Sequence, residues 1–246
     1  MEAPAALVIA HPDDETLAAG AVLPLFRNLL IVQVTDGAPR NLADANAAGF
    51  ATAEAYAEAR ARELEAALAI GNVHAAHTTL GAADQGAAHA MPELARALAA
   101  RLQAHDTQAV LTHAYEGGHP DHDATALIAA AAARLAGIET LIEFPLYHAA
   151  EHGWAVATFL PGPAPTTLDL TPEEQSRKRA MLAAFATQRS TLAQFPVAQE
   201  HFRPAPAHDF TAPPRPGQPL YERYGWGLDF ARWRELAAAA QRDLAR

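Results

Sequence analysis

Short apolar runs alternate with helix-patterned stretches from residue 7 to about residue 150, and few architectures accommodate that rhythm. Leu7–Ala10, Leu29–Val34, Ala109–Thr112 and Leu141–Phe144 are short and almost uniformly apolar, as strands buried on both faces are. Val73–Leu80 reads as a weaker strand, disturbed by His74 and His77. Between them, Asp14–Arg27, Thr52–Ile70, Pro92–His105 and His122–Ala136 carry helical periodicity. In the second of these, Ala57, Ala61, Leu64 and Leu68 share one face. The alternation predicts an α/β fold: a mostly parallel sheet with helices on both faces.

The pattern changes beyond residue 150. Val156–Leu160 and Thr166–Leu170 read as edge strands. Thr171, Pro172 and Glu174 then spell a helix start with a capping box, and Met181, Leu182, Phe185 and Leu192 give that helix an apolar side. Residues 196–219 are rich in proline, but Phe202, Phe210, Tyr221, Tyr224 and Trp226 supply anchors that a disordered linker lacks. A last helix carries Phe230, Trp233, Ala237, Ala240 and Leu244 at helical spacing. The expectation is one domain over residues 1–246, with a C-terminal extension of about 196–246 packed back on it.

Charge and composition narrow the function. A formal charge of -10 argues against nucleic acid, whose binding rests on Lys and Arg neutralising phosphates. Without cysteine, any metal must be held by His, Asp or Glu. No basic leader and no apolar run of ~20 residues is present, so the expected location is the cytoplasm, with no membrane span. Nothing in the sequence sets the oligomeric state, and a homo-oligomer is compatible with it.

Two segments carry the chemistry. Ala10-His11-Pro12-Asp13-Asp14-Glu15 lies where the first strand gives way to the first helix. In open parallel sheets that carboxyl edge is where ligands bind. Pro12 keeps His11 extended, so Asp14 can turn back beside it and share a metal, while Asp13 faces a water. Adjacent acids at a helix start often only cap it, but a cap does not explain the preceding His-Pro. The second segment, His119-Pro120-Asp121-His122, also sits between a strand and a helix, hence at the same edge. Two His and a carboxylate suit zinc with its fourth position open, which points to amide hydrolysis. Asp13 fits the base; His119 fits the acid or a donor to the oxyanion; Asp121 fits a carboxylate that orients His119.

Together these segments resemble the LmbE-like, or PIG-L, family of zinc-dependent N-deacetylases, over residue 7 to about 200. The resemblance implies a Rossmann-like sheet, zinc on His11, Asp14 and His122, Asp13 as general base, and His119 assisting proton transfer. It also implies a small-molecule substrate, an N-acyl amino sugar or its conjugate. Arg60 and Glu63 match the family's Arg-x-x-Glu helix, where the Arg helps hold the sugar; the plain alternative is an exposed ion pair between the two. Asp84 matches a sugar-binding Asp, and Asp36, in Thr35-Asp36-Gly37, matches a residue that supports a ligand. Lys178 to Gln188 is similar to the family's Lys…Ser-Gln helix, with Thr187 in place of Ser.

The sequence also departs from its relatives. Gly117 stands where mycothiol-precursor deacetylases place a carbonyl-polarising Tyr, and Tyr115 is the nearest substitute. Gly118 stands where bacillithiol-type enzymes have Arg. The loop His113–Gly118 is expected to be mobile and to border the pocket, with Tyr221, Tyr224 or Trp226 from the tail stacking on a sugar face. Two rival readings use the same residues: a non-catalytic sugar-binding protein that keeps its metal, and a non-heme iron oxygenase. Retained Asp13 speaks against the first, and His-x-x-Asp on an α/β pattern against the second.

Overall fold

Five parallel strands form the centre of the computed structural model, which describes residues 1–246. Strand β1 (Ala5–Ile9) is buried at every residue and lies between β2 (Leu29–Pro39) and β4 (Ala109–His113). Outside these lie β3 (Ala76–Asp84) and β5 (Thr140–Phe144). The order β3-β2-β1-β4-β5 reverses its direction of travel between β1 and β4. Loops leaving the carboxyl ends of those two strands therefore diverge and open a crevice.

The strand alternation shows directly in the two cores. Ala6 and Val8 face one, with Met91, Leu94 and Leu98 of α4 (Met91–Ala104) and Ala124, Leu127 and Ile128 of α5 (Pro120–Ala136). Ala5, Leu7 and Ile9 face the other, with Ala18 and Ala19 of α1 (Asp14–Ala19). Side chains alternate across a strand, so a run buried at every position needs helices on both faces. Helix α2 (Ala43–Ala47) follows β2, and α3 (Ala53–Ile70) packs Leu64 and Ala67 against Met181 and Phe185 of α6 (Pro172–Ala184).

Several boundaries differ from the sequence reading. Helix α1 stops at Ala19, and Leu23–Leu25 forms a 3-10 turn around Pro24, which cannot continue an α-helical ladder. The helix expected to reach Leu192 breaks at Phe185; a 3-10 turn, Ala186–Gln188, leads to α7 (Arg189–Leu192). The hairpin β6 (Tyr147–Ala149) and β7 (Trp154–Val156) replaces the edge strand expected over 156–160. Strand β8 (Thr166–Asp169) pairs antiparallel with β9 (Gln199–Pro204), which pairs antiparallel with β5. The sheet thus runs seven strands, its last two antiparallel.

Strand β9 lies inside the segment read as proline-rich extension. Buried ion pairs fix it on both sides: Glu200 Oε1 to Lys178 Nζ at 2.8 Å, and Arg203 Nε to Glu143 Oε1 at 2.6 Å. After α8 (Leu220–Arg223), the final helix α9 (Phe230–Leu244) buries Trp233, Ala237, Ala240 and Leu244 in the α4–α5 core. No helix is long and apolar enough to cross a membrane.

Candidate active site

The chain leaving β1 turns sharply at Asp13, whose φ of 117° is unusual for a residue with a side chain. Arg60, buried on α3, holds that turn in place. Its Nη2 donates to Pro12 O and to Asp13 Oδ2, both at 2.8 Å, and its Nη1 to Gly37 O. Arg60 therefore pairs with Asp13 and not with Glu63, contrary to the exposed i,i+3 alternative. Glu63 instead accepts from the backbone N–H and hydroxyl of Thr187. Gly37 fits this contact because a Cβ there would lie 2.7 Å from Arg60 Nη1.

The turn brings Asp14 back beneath His11, whose backbone N–H donates to Asp14 Oδ2 at 2.7 Å. Helix α5 brings His122 to the same place from the other side of the crevice. His11 Nδ1 lies 3.5 Å from Asp14 Oδ2 and 3.3 Å from His122 Nε2, and His122 Nε2 lies 3.4 Å from Asp14 Oδ1. A tetrahedral ion with bonds of about 2.0–2.1 Å has ligand-to-ligand edges of about 3.3–3.4 Å. His11 and His122 meet different oxygens of Asp14, so the spacing closes through the carboxylate and not on one atom. The surrounding groups His11–His119–His122 and Asp14–His113–His122 also bring ligand atoms together, and two imidazoles with one carboxylate are a donor set a small divalent ion takes.

Two other histidines stand against it. His113, at the end of β4, stacks on His122 with ring centroids 4.3 Å apart and reaches Asp14 Oδ2 at 3.4 Å. Its Nε2 accepts the Ala10 backbone N–H at 3.0 Å, so that lone pair is already used. In sequence His113 stands only at the edge of a loop, and its position at the carboxyl end of a parallel strand is the one signal that it belongs to the site. His119 caps α5, its Nδ1 accepting the Asp121 N–H at 3.2 Å, which leaves the ring proton on Nε2.

Asp121 corrects an expectation. Its carboxylate accepts the backbone N–H groups of Gln85 and Ala87, lies 3.3 Å from His11 Nε2, and is 3.9 Å from His119 Nδ1. It orients His11 and not His119, because the first turn of α5 points it across the crevice at the loop after β3. With Nε2 directed at Asp121, His11 turns Nδ1 toward Asp14 and His122. Asp84 joins the same cluster, 3.5 Å from His11 Nε2 and 3.7 Å from His119 Nε2. Asp36 stands further out, paired with Arg40 at 2.6 Å and touching the cluster only through the Asp84 N–H at 3.4 Å.

The charges follow this packing. Burial pushes the Asp13 carboxyl up to about 8, with Arg60 opposing the rise. Burial also opposes charge on Asp14, but His122 and His113 hold it well below the usual carboxylate range. Burial brings His122 down to about 4 and, with His11, brings His119 down to about 3, so both rings are neutral. His11 goes the other way: Asp84, Asp121 and Asp14 outweigh its burial and raise it well above its ordinary value.

The cluster opens into a cavity of about 620 Å³. Its walls include Leu17, Phe50, Tyr56, Gln188, Tyr147, Trp154, Phe195 and Trp226. Of the tail aromatics, Trp226 reaches it, whereas Tyr221 is fully buried and Tyr224 lies stacked behind Trp226. The loop 113–118 is not a mobile border. It is buried throughout, and Asp123 Oδ1 accepts the N–H groups of Glu116 and Gly117. Tyr115 cannot substitute for the missing Tyr, because its hydroxyl donates to Ala212 O at 3.0 Å within the α9 core. Tyr147 is the tyrosine that lines the cavity beside His122, with ring centroids 5.2 Å apart.

Fold and site together define a doubly wound α/β protein with a His–carboxylate centre at its topological switch point. The chain belongs to the PIG-L family, described as GlcNAc-PI de-N-acetylase, whose pattern matches residues 6–133. No curated protein matches it. Among solved structures, a deacetylase of the teicoplanin biosynthetic pathway aligns with a TM-score of 0.64 and 20% identity, over 84% of this chain and 99% of that one. The 4-carboxy-2-hydroxymuconate hydratase from Pseudomonas putida aligns with a TM-score of 0.57 and 20% identity, over 77% and 82%. The N,N'-diacetylchitobiose deacetylase from Pyrococcus horikoshii aligns with a TM-score of 0.54 and 16% identity, over 89% and 86%. At these identities the likeness is one of fold.

Proposed function

We propose that this chain hydrolyses the N-acyl amide, in the first place N-acetyl, of an amino sugar or amino-sugar conjugate, with zinc held by His11, Asp14 and His122. The observation that carries the reading is the convergence of those three side chains to 3.3–3.5 Å of one another, through both Asp14 oxygens, with Asp13 and His119 beside them at the base of one cavity. The fold alone does not select the reaction, since a hydratase shares it. Family membership and the deacetylases among the fold relatives support the amino-sugar substrate.

Bound zinc would polarise the acyl carbonyl and lower the pKa of a water to about 7. Asp13 takes the proton of the attacking water. Arg60 holds its Oδ2, which leaves Oδ1 to accept; burial raises its carboxyl to about 8, and the charge of a bound zinc would bring it down toward the neutral range where a general base works best. His119 keeps its ring proton on Nε2 and stays neutral, which suits it to donate a hydrogen bond to the developing oxyanion rather than to release a proton. Asp13 then returns its proton to the leaving nitrogen, so the proton count closes. Asp84, which lies near both His11 and His119, would accept a sugar hydroxyl in this reading. A chain without cysteine suits the reducing cytoplasm.

The test is acetate release from N-acetylated amino sugars by the metal-loaded and the chelated protein. Release that needs the metal supports the reading. Dioxygen-dependent turnover, or sugar binding with no amide cleavage in the metal-loaded protein, replaces it with one of the two rivals.

A further inference from the structure

The cavity's walls say what kind of conjugate fits it. Arg60 is the one Lys or Arg among its lining residues, and both terminal nitrogens of its guanidinium are committed, to Asp13, Pro12 O and Gly37 O. Carboxylates of Asp44, Glu63 and Asp84 line the same space, on a chain whose formal charge is -10. Away from the metal centre at the cavity floor, a phosphate or carboxylate on the aglycone would be desolvated among like charges with no free Lys or Arg to meet it.

One side of the cavity is aromatic. Tyr147 and Trp154 stack with centroids 4.5 Å apart and planes 15° apart, and Tyr224 and Trp226 stack at 5.2 Å and 19°. The two pairs meet as a corner, with Trp154 and Trp226 crossing at 88°. Both indoles are only half-buried. The corner begins at the catalytic cluster, since Trp226 lies 5.2 Å from His119 and Tyr147 5.2 Å from His122. Flat apolar faces at right angles hold a planar ring, one face stacked and one edge pointed into a ring.

We infer that the site takes an uncharged N-acyl glycosaminide whose aglycone is a flat, weakly polar ring seated in the Tyr147–Trp154–Trp226 corner, and that it discriminates against phosphorylated or carboxylated conjugates. This rests on the amide-hydrolase reading for the reaction, but not for the selectivity, which binding reports by itself.

The experiment uses the full-length, zinc-loaded protein and three N-acetylglucosaminides, with phenyl, methyl and 1-phosphate at the anomeric position. Acetate release gives KM and kcat; calorimetry with the corresponding free amines gives binding without turnover. The phenyl compound should have a KM and a Kd about three- to tenfold below those of the methyl compound, with the 1-phosphate weakest. Trp226→Ala should bring the phenyl-to-methyl ratio toward one, and Trp154→Ala provides the same test should the first variant not fold. Binding of the 1-phosphate as tight as that of the methyl compound overturns the inference. So does a wild-type phenyl-to-methyl ratio of one, or a ratio unchanged in the folded variants. If the binding order holds while no compound releases acetate, the selectivity stands and the hydrolase reading falls. If nothing binds and nothing turns over, both fall.

Discussion

Arg60 Nη2 lies 2.8 Å from Asp13 Oδ2, joining the third helix to the strained turn that follows the first strand. The pair is buried on both sides, so each partner depends on the other to offset its desolvation. Arg60→Met should therefore destabilise the fold, by less than the ~3–5 kcal/mol of breaking a fully charged buried pair, because the Asp13 carboxyl, already raised to about 8, takes up a proton instead. Turnover should fall with it, because Asp13 loses the contact that aims it. Chemical denaturation checks the first effect and acetate release the second; a fully stable, fully active Met variant would show that the contact is incidental.

Asp13 and Asp14 are neighbours in sequence and should separate in behaviour. Asp13→Asn keeps the shape but cannot accept a proton, so metal content should hold while turnover drops by about 10²–10⁴. Asp14→Asn replaces an anionic donor between His11 and His122, so metal affinity itself should drop. Metal analysis after dialysis, run beside activity, distinguishes the two. Loss of metal in the Asp13 variant alone would reverse the assignment.

Asp121→Asn should weaken metal binding by about 10–100-fold without removing a ligand, as loss of a carboxylate behind a ligating imidazole does. The carboxylate now fixes which His11 nitrogen faces Asp14. Competition with a chelator of known affinity measures the change. If Asp121 served His119 alone, turnover would fall at unchanged metal affinity.

Glu116 gives a pH test away from the proposed metal centre. Its Oε2 accepts the Leu146 N–H at 3.0 Å, its Oε1 is buried without a partner, and burial raises its carboxyl well above its ordinary 4.5. The folded protein thus holds a proton that the unfolded chain releases above 4.5. Stability from this group is complete below that pH and declines as pH rises toward the folded value. Glu116→Gln mimics the protonated form, so the wild type should lose stability relative to the variant as pH rises above 4.5, by up to about 1.4 kcal/mol per unit. Denaturation curves at pH 5, 6, 7 and 8 would show it, and a pH-independent difference would refute it.

The sequence by itself determined the sheet and the edge at which chemistry occurs. Uniformly apolar runs such as Leu7–Ile9 force burial on both faces, and strands followed by helices in series force parallel pairing. That placed His11 and His122 at one carboxyl edge although 111 residues separate them. What only tertiary structure decided were the partners of charged side chains and the fate of the tail. Arg60 offered Glu63 one turn away on its own helix, but the Asp13 carboxyl and two carbonyls across the crevice form a buried set of acceptors that a surface pair cannot match. Asp121 likewise chose His11 over its near neighbour His119, because helix direction, not proximity along the chain, aims a side chain. The segment 199–204 became a strand through pairing with β5 and the buried Lys178–Glu200 and Arg203–Glu143 bridges. Long-range pairing and desolvation are set by what meets in space, and local periodicity does not encode them.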